Sequence, residues 1–295
     1  MWFFSEKVTS MKFQKGVTLI ELMVALVLSL LVMTGVIQIF LSSKQVYNVQ
    51  EATSRMQEDG RLTMDFLNKY LRLAGFKTNP WNKNDESWTP VTADPSAVSG
   101  RGFPANANYG SRPAQIIFGV ENDATNGNGV DTVRVRYQGS NDNSVSDCLG
   151  NIVDADEMAD ILFSLSSATN GTRSLRCTVS INAAAPTTQP LVDNIEDMQI
   201  WYGISTQNDK NNRLNNAEKY LPANEVTTAE WERVVSVRIA LLIRSEANNL
   251  AQEPQVYLKP QSDQVVGKTT TPGSTDKYLR YWMNTTINLR NRTQI

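Results

Sequence analysis

The segment Val17–Leu41 constrains this chain more than any other feature. It is 25 residues long, overwhelmingly apolar, and contains no Lys, Arg or Pro. As an α-helix, at about 1.5 Å per residue, it exceeds the roughly 30 Å hydrocarbon core of a bilayer. Lys7, Lys12 and Lys15 precede it, and basic flanks stay on the cytoplasmic side. The expectation is a single-pass inner-membrane protein whose residues beyond about Ser42 lie outside the membrane, in the periplasm. A secretory signal carries its small-residue cleavage site after the apolar stretch. Here no convincing A-x-A site follows, and the small residue Gly16 stands before the run, directly after Lys15. Met11 is an alternative start that shortens the leader to Met11–Gly16.

Glu21 is the misplaced residue of that segment. An unpaired charge inside a bilayer costs roughly 2.5–3.5 kcal/mol on insertion scales. One reading is an acid near the interface that snorkels toward the headgroups. The other is an acid awaiting a positive partner. Cleavage after Gly16 would create one, because the new α-amino group of Val17 has an ordinary pKa of about 8.

The stretch Lys15-Gly16-Val17-Thr18-Leu19-Ile20-Glu21-Leu22-Met23-Val24-Ala25-Leu26 resembles the class III signal of type IV prepilins and type II secretion pseudopilins. The resemblance implies that a membrane prepilin peptidase cuts between Gly16 and Val17 and N-methylates Val17. It also implies that Glu21 helps to recruit the subunit into a filament of pilin helices. The family usually has Phe where this chain has Val17.

Helical spacing continues past the membrane. Apolar residues recur at Val46, Val49, Met56, Leu62, Phe66, Tyr70 and Leu73, with no proline before Pro80. This predicts one helix from Val17 to about Ala74, capped at Gly75, with residues 42–75 amphipathic. These positions keep no clean 3.5 repeat, so packing against a sheet is favoured over a coiled-coil seam. Residues 76–113 are rich in Pro, Asn, Gly and Ser and read as an irregular connector. From 114 to 295 the pattern alternates. Strands are predicted around Asp131–Tyr137, Met198–Ile204, Val235–Arg244 and Arg280–Arg290. The fold class expected is therefore α+β: a pilin-like long helix packed on an antiparallel β-sheet head.

Three of these segments resemble PilW-type minor pilins: Gln189–Gly203, Trp231–Ser245 and Tyr281–Asn291. Minor pseudopilins of type II secretion share parts of them. The resemblance implies work with other minor and major pilins in a priming or tip complex. A type II secretion pseudopilin, a membrane-anchored periplasmic binding module and a tip adhesin are the alternatives.

Composition narrows the chemistry. The chain has no histidine, which removes His-based acid–base catalysis and most zinc sites. Its net charge is −2, without the basic stripe of a nucleic-acid scaffold. No enzyme activity, cofactor, metal, small-molecule substrate or direct nucleic-acid binding is expected. The two cysteines, Cys148 and Cys177, both follow the membrane segment, so a disulfide in an oxidising compartment is expected, against the alternative of two separate buried thiols. Asn122–Asp131 looks like a cation loop but misses the EF-hand spacing, and reads as a turn. Asp154, Asp156, Glu157 and Asp160 are expected on a short solvated helix. Arg134 and Arg136 are expected on a solvated sheet edge.

Overall fold

The computed structural model describes residues 16–77, 115–121, 130–168, 172–206, 216–259 and 268–291. The chain divides into two units, Met1–Gln50 and Glu51–Ile295. One helix, α1 (Leu19–Leu73), contributes to both. Nearly all of the predicted connector, and residues 122–129 of the cation-like loop, lie outside the described residues.

In the first unit the stretch of α1 from Leu19 to Leu41 is built mainly from Leu, Val, Ile and Met, and it is exposed throughout. Its two hydroxyls bond back to their own helix, Ser29 Oγ to the Leu26 carbonyl at 2.9 Å and Thr34 Oγ1 to the Leu30 carbonyl at 2.8 Å. Neither hydroxyl proton is then left for an apolar environment to leave unsatisfied.

In the second unit α1 buries one stripe: Met56, Gly60, Thr63, Met64, Leu67, Tyr70 and Leu71. The steps of three and four residues keep this stripe on one side of the helix. The opposite side carries exposed ion pairs, Arg55–Glu51 at 2.7 Å, Arg61–Glu58 at 2.7 Å and Arg61–Asp65 at 3.1 Å, each worth a few tenths of a kcal/mol. The helix stops where expected. Gly75 takes φ +76°, a left-handed conformation that glycine adopts without a Cβ penalty. Its N–H donates to the Arg136 carbonyl at 2.9 Å, and Asn291 Nδ2 donates to the Arg72 carbonyl at 3.1 Å. The end of the helix is thus anchored to the strand carrying Arg136 and to the segment that follows Asn288.

The head is an antiparallel sheet of eight strands with a two-stranded satellite. Its strands are β1 (Ile117–Val120), β2 (Thr132–Gln138), β3 (Met158–Leu165), β4 (Arg173–Ile181), β5 (Thr187–Ile204), β6 (Lys219–Pro222), β7 (Val234–Arg244) and β10 (Arg280–Asn288). The order is β1-β2-β3-β4-β5-β7-β10, with β6 on the free part of β5, while β8 (Tyr257–Lys259) and β9 (Lys268–Thr270) form the satellite. The face toward α1 is mostly apolar. Val133, Phe163 and Cys177 are aligned across β2, β3 and β4, and Ile200, Ile239 and Thr285 across β5, β7 and β10.

The sheet curls, so that β2 meets β5. Asp131 makes this junction. Its N–H donates to the Met198 carbonyl at 3.4 Å, and its carboxylate accepts the Ile200 N–H at 2.8 Å. The Tyr202 hydroxyl donates to the Thr132 carbonyl at 3.3 Å. Asp131 therefore serves β5 as a substitute strand partner, and its carboxylate is committed to a main-chain amide.

Several sequence expectations are corrected here. Asp154–Asp160 form no helix: the segment turns at Ala155–Asp156 and enters β3, where burial on both faces overrides the local acid cluster. Asp160 is buried and lies 3.7 Å from Arg134. Arg134 and Arg136 are on no solvated edge. Strand β2 is flanked by β1 and β3, and Arg136 is fully buried, its Nε donating to the Gln115 carbonyl at 2.7 Å. The Arg280 side chain is also buried, in ion pairs with Glu196 at 2.8 Å and Asp276 at 2.7 Å. Its hydrogen bonds hold the Asp276 carboxyl below the ordinary range. Finally, β7 is buried on both faces, Ala240 and Leu242 as well as Ile239 and Leu241.

Candidate functional site

Two places carry the residues singled out by the sequence: the start of α1 and the disulfide.

Gly16, Val17 and Thr18 precede α1 and are non-helical. Thr18 is the cap. Its carbonyl accepts the Leu22 N–H at 3.1 Å, and its Oγ1 accepts the Glu21 N–H at 3.3 Å. Thr18-Leu19-Ile20-Glu21 thus has the residue pattern of a capping box, with Glu21 at the third helical position. An acid there is also favoured by the partial positive charge of the helix N-terminus. Sequence reasoning singled out Gly16, Val17 and Glu21 but passed over Thr18, although the T-x-x-E spacing was the available signal. Beyond Glu21 no charged residue occurs before Lys44. The side chains from Leu19 to Leu41 form an apolar helix long enough to cross a membrane.

Cys148 and Cys177 are disulfide-bonded, with Cα atoms 6.4 Å apart. Cys177 sits in β4, beside Phe163 of β3. Cys148 sits in the loop before β3, which Asp147 organises. The Asp147 carboxylate accepts the Leu149 N–H at 2.9 Å, the Asn151 N–H at 2.8 Å and Asn151 Nδ2 at 2.9 Å. Tyr70 of α1 reaches this loop too, and its ring lies 6.0 Å from that of Phe163. The arrangement is structural: a staple, a capped loop and a helix seat.

Two family profiles match the chain, one at each end. The profile described as the prokaryotic N-terminal methylation motif matches residues 11–37, across Gly16, Val17 and Glu21. The profile described as Type IV Pilus-assembly protein W matches residues 162–291, from β3 through β10. Together the two matches indicate a type IV pilus minor pilin of the PilW type. That family is one of structural subunits, and the pseudopilin and binding-module alternatives are not favoured by it. A solved structure of a type IV-like pilin from Thermus thermophilus is 12% identical, over 55% of this chain and 80% of its own, with a TM-score of 0.29. No curated protein sequence is significantly similar to the chain.

A prepilin-type apolar helix carries one acid, and a curled antiparallel head holds the distal half of the same helix.

Proposed function

We propose that this minor pilin is cut between Gly16 and Val17, that Val17 becomes its N-methylated first residue, and that Glu21 pairs with the new amine during filament assembly. The observation that carries the reading is the position of Glu21, one turn into an otherwise uncharged apolar span and five residues after Gly16. The partner amine sits on the same chain or on a neighbouring pilin. In the apolar interior of a fibre the pair must be well satisfied, since removing one partner of a buried pair costs about 3–5 kcal/mol.

On this reading α1 holds the subunit in the inner membrane with the head in the periplasm. Packing against other pilin helices then extracts it into the fibre. The partners are a prepilin peptidase and other minor and major pilins, in a complex that primes the fibre and stays at its tip.

The test uses two variants of the full chain in a piliated host. Gly16→Val should leave the precursor uncut. Glu21→Ala should be cut normally but be depleted from sheared pili. Intact mass gives the N-terminus; a mature chain beginning near Ser43, or Glu21→Ala entering pili at the wild-type level, would sink the reading.

A further inference from the structure

The start of α1 is set by a side chain, and this matters for what a peptidase meets. A peptidase needs its scissile bond in extended chain, with the flanking amide and carbonyl free to pair with the enzyme. In a helix those groups are already used. Gly16 and Val17 are exposed and outside the helix, and no atom lies within 4 Å of where a Gly16 Cβ would sit. The residue that keeps them there is Thr18, through the bond from the Glu21 N–H to its Oγ1 and from the Leu22 N–H to its carbonyl. An N-cap residue holds non-helical backbone angles, so the chain leaves the helix axis at that residue.

The environment makes the cap more consequential. Unsatisfied amides are costly in an apolar medium. A span lacking the Thr18 hydroxyl oxygen would gain by winding one more turn toward its N-terminus, and that turn contains the Gly16–Val17 bond. Val17, being β-branched, resists a helix only weakly.

Resting on the processing proposed above, we infer that Thr18 is a positioning residue for prepilin cleavage. Its side-chain oxygen fixes the helix start two residues beyond the scissile bond and presents that bond as extended chain. Its contribution is to the cleavage step and not to the head, which belongs to the other unit of the chain.

The experiment follows initial rates of cleavage of the full-length precursor in membranes containing a prepilin peptidase, with intact mass as readout. Thr18→Val keeps the shape and loses the acceptor; Thr18→Ser and Thr18→Asn keep an acceptor with different shapes. Thr18→Val should be cut about fivefold more slowly, the size of effect a typical cap carries. Ser and Asn should restore the rate. Formation of the Cys148–Cys177 disulfide in each variant reports that the head is folded. Equal rates for wild type and Thr18→Val overturn the inference and leave the processing proposal standing. So does slowing by Ser and Asn to the level of Val, which would point to a shape requirement of the enzyme. A wild-type chain that is never cut after Gly16 overturns both.

Discussion

The hydroxyl of Tyr70, near the end of α1, donates to the main-chain carbonyl of Asp147 at 2.8 Å, in a buried position. Asp147 is followed directly by Cys148, whose sulfur is bonded to Cys177 in β4. The helix seat and the disulfide therefore share a loop. Tyr70→Phe removes one of that carbonyl's two donors, leaving the Gly150 N–H at 3.2 Å, and should cost about 1 kcal/mol. Replacing both cysteines by alanine should cost about 3–4 kcal/mol on the loop-entropy account. Because the freed loop can turn its carbonyl to water, the triple variant should be more stable than the sum of the two losses implies. Denaturant unfolding of the four proteins measures this; strict additivity would show that the staple and the seat are independent.

At Gly60 α1 lies close against β7 and β10. A Cβ there would stand 2.4 Å from Ile243 Cδ1 and 3.0 Å from Met283 Cε. Both atoms end flexible side chains, and alanine gains about 1 kcal/mol of helix propensity. Gly60→Ala should therefore be destabilised by no more than about 1 kcal/mol, whereas Gly60→Leu should lose about 3 kcal/mol or more through overpacking. A Gly60→Leu head that melts with the wild type would contradict the close packing.

Asn194 interrupts β5 with φ +66° and donates from Nδ2 to Asp59 Oδ2 of α1 at 3.2 Å. The register of β5 against β7 shifts just beyond it, between Ile195 and Asp197. Asn194→Gly keeps the backbone and loses one exchangeable hydrogen bond, about 1 kcal/mol. Asn194→Val adds a left-handed β-branched residue and should cost about 1–2 kcal/mol more. Similar unfolding free energies for the two variants would count against a backbone requirement at this position.

Stability should rise and then fall between neutral and strongly alkaline pH. Burial, with the Arg136 charge added, brings the Lys77 ammonium from 10.5 down to about 8. Between these values the unfolded chain binds a proton that the folded chain has released, so this group makes stability increase with pH. Burial holds the Tyr137 and Tyr202 phenols well above their ordinary value of 10.0. Above about pH 10 the unfolded chain loses protons that the folded chain keeps, and stability is lost. Unfolding midpoints from pH 7 to 11 should peak near pH 10. Lys77→Met should remove the rise and leave the fall; an unchanged rise in that variant would refute the assignment.

Much of the architecture was legible in the order of residues. The helix was expected from Val17 to about Ala74 and spans Leu19–Leu73, because periodic apolar residues, absence of proline and a terminal glycine are local signals. The four expected strands coincide with β2, the end of β5, β7 and β10. Strands β3 and β4 were missed. In β3 apolar residues occupy both faces, as in Ile161, Leu162 and Phe163, so period-2 alternation is absent. In β4 the alternation of Leu175, Cys177 and Val179 with Arg176 and Thr178 is present but was passed over in the wake of a supposed acidic helix.

The sequence by itself determined the start of the molecule: an apolar span, the Gly16–Val17 bond before it and Glu21 within it. These are covalent and compositional facts that need no partner from elsewhere in the chain. Even the Thr18 cap acts over only three residues. Tertiary structure decided the rest of the polar inventory. It buried Arg136, expected on a solvated edge, and the side chain of Arg280, committed Asp131 to the amide of Ile200, and brought Asp147 under Tyr70 across 77 residues. A charge's environment is set by which strands flank it and how the sheet curls, and those are long-range pairings that no window of sequence contains.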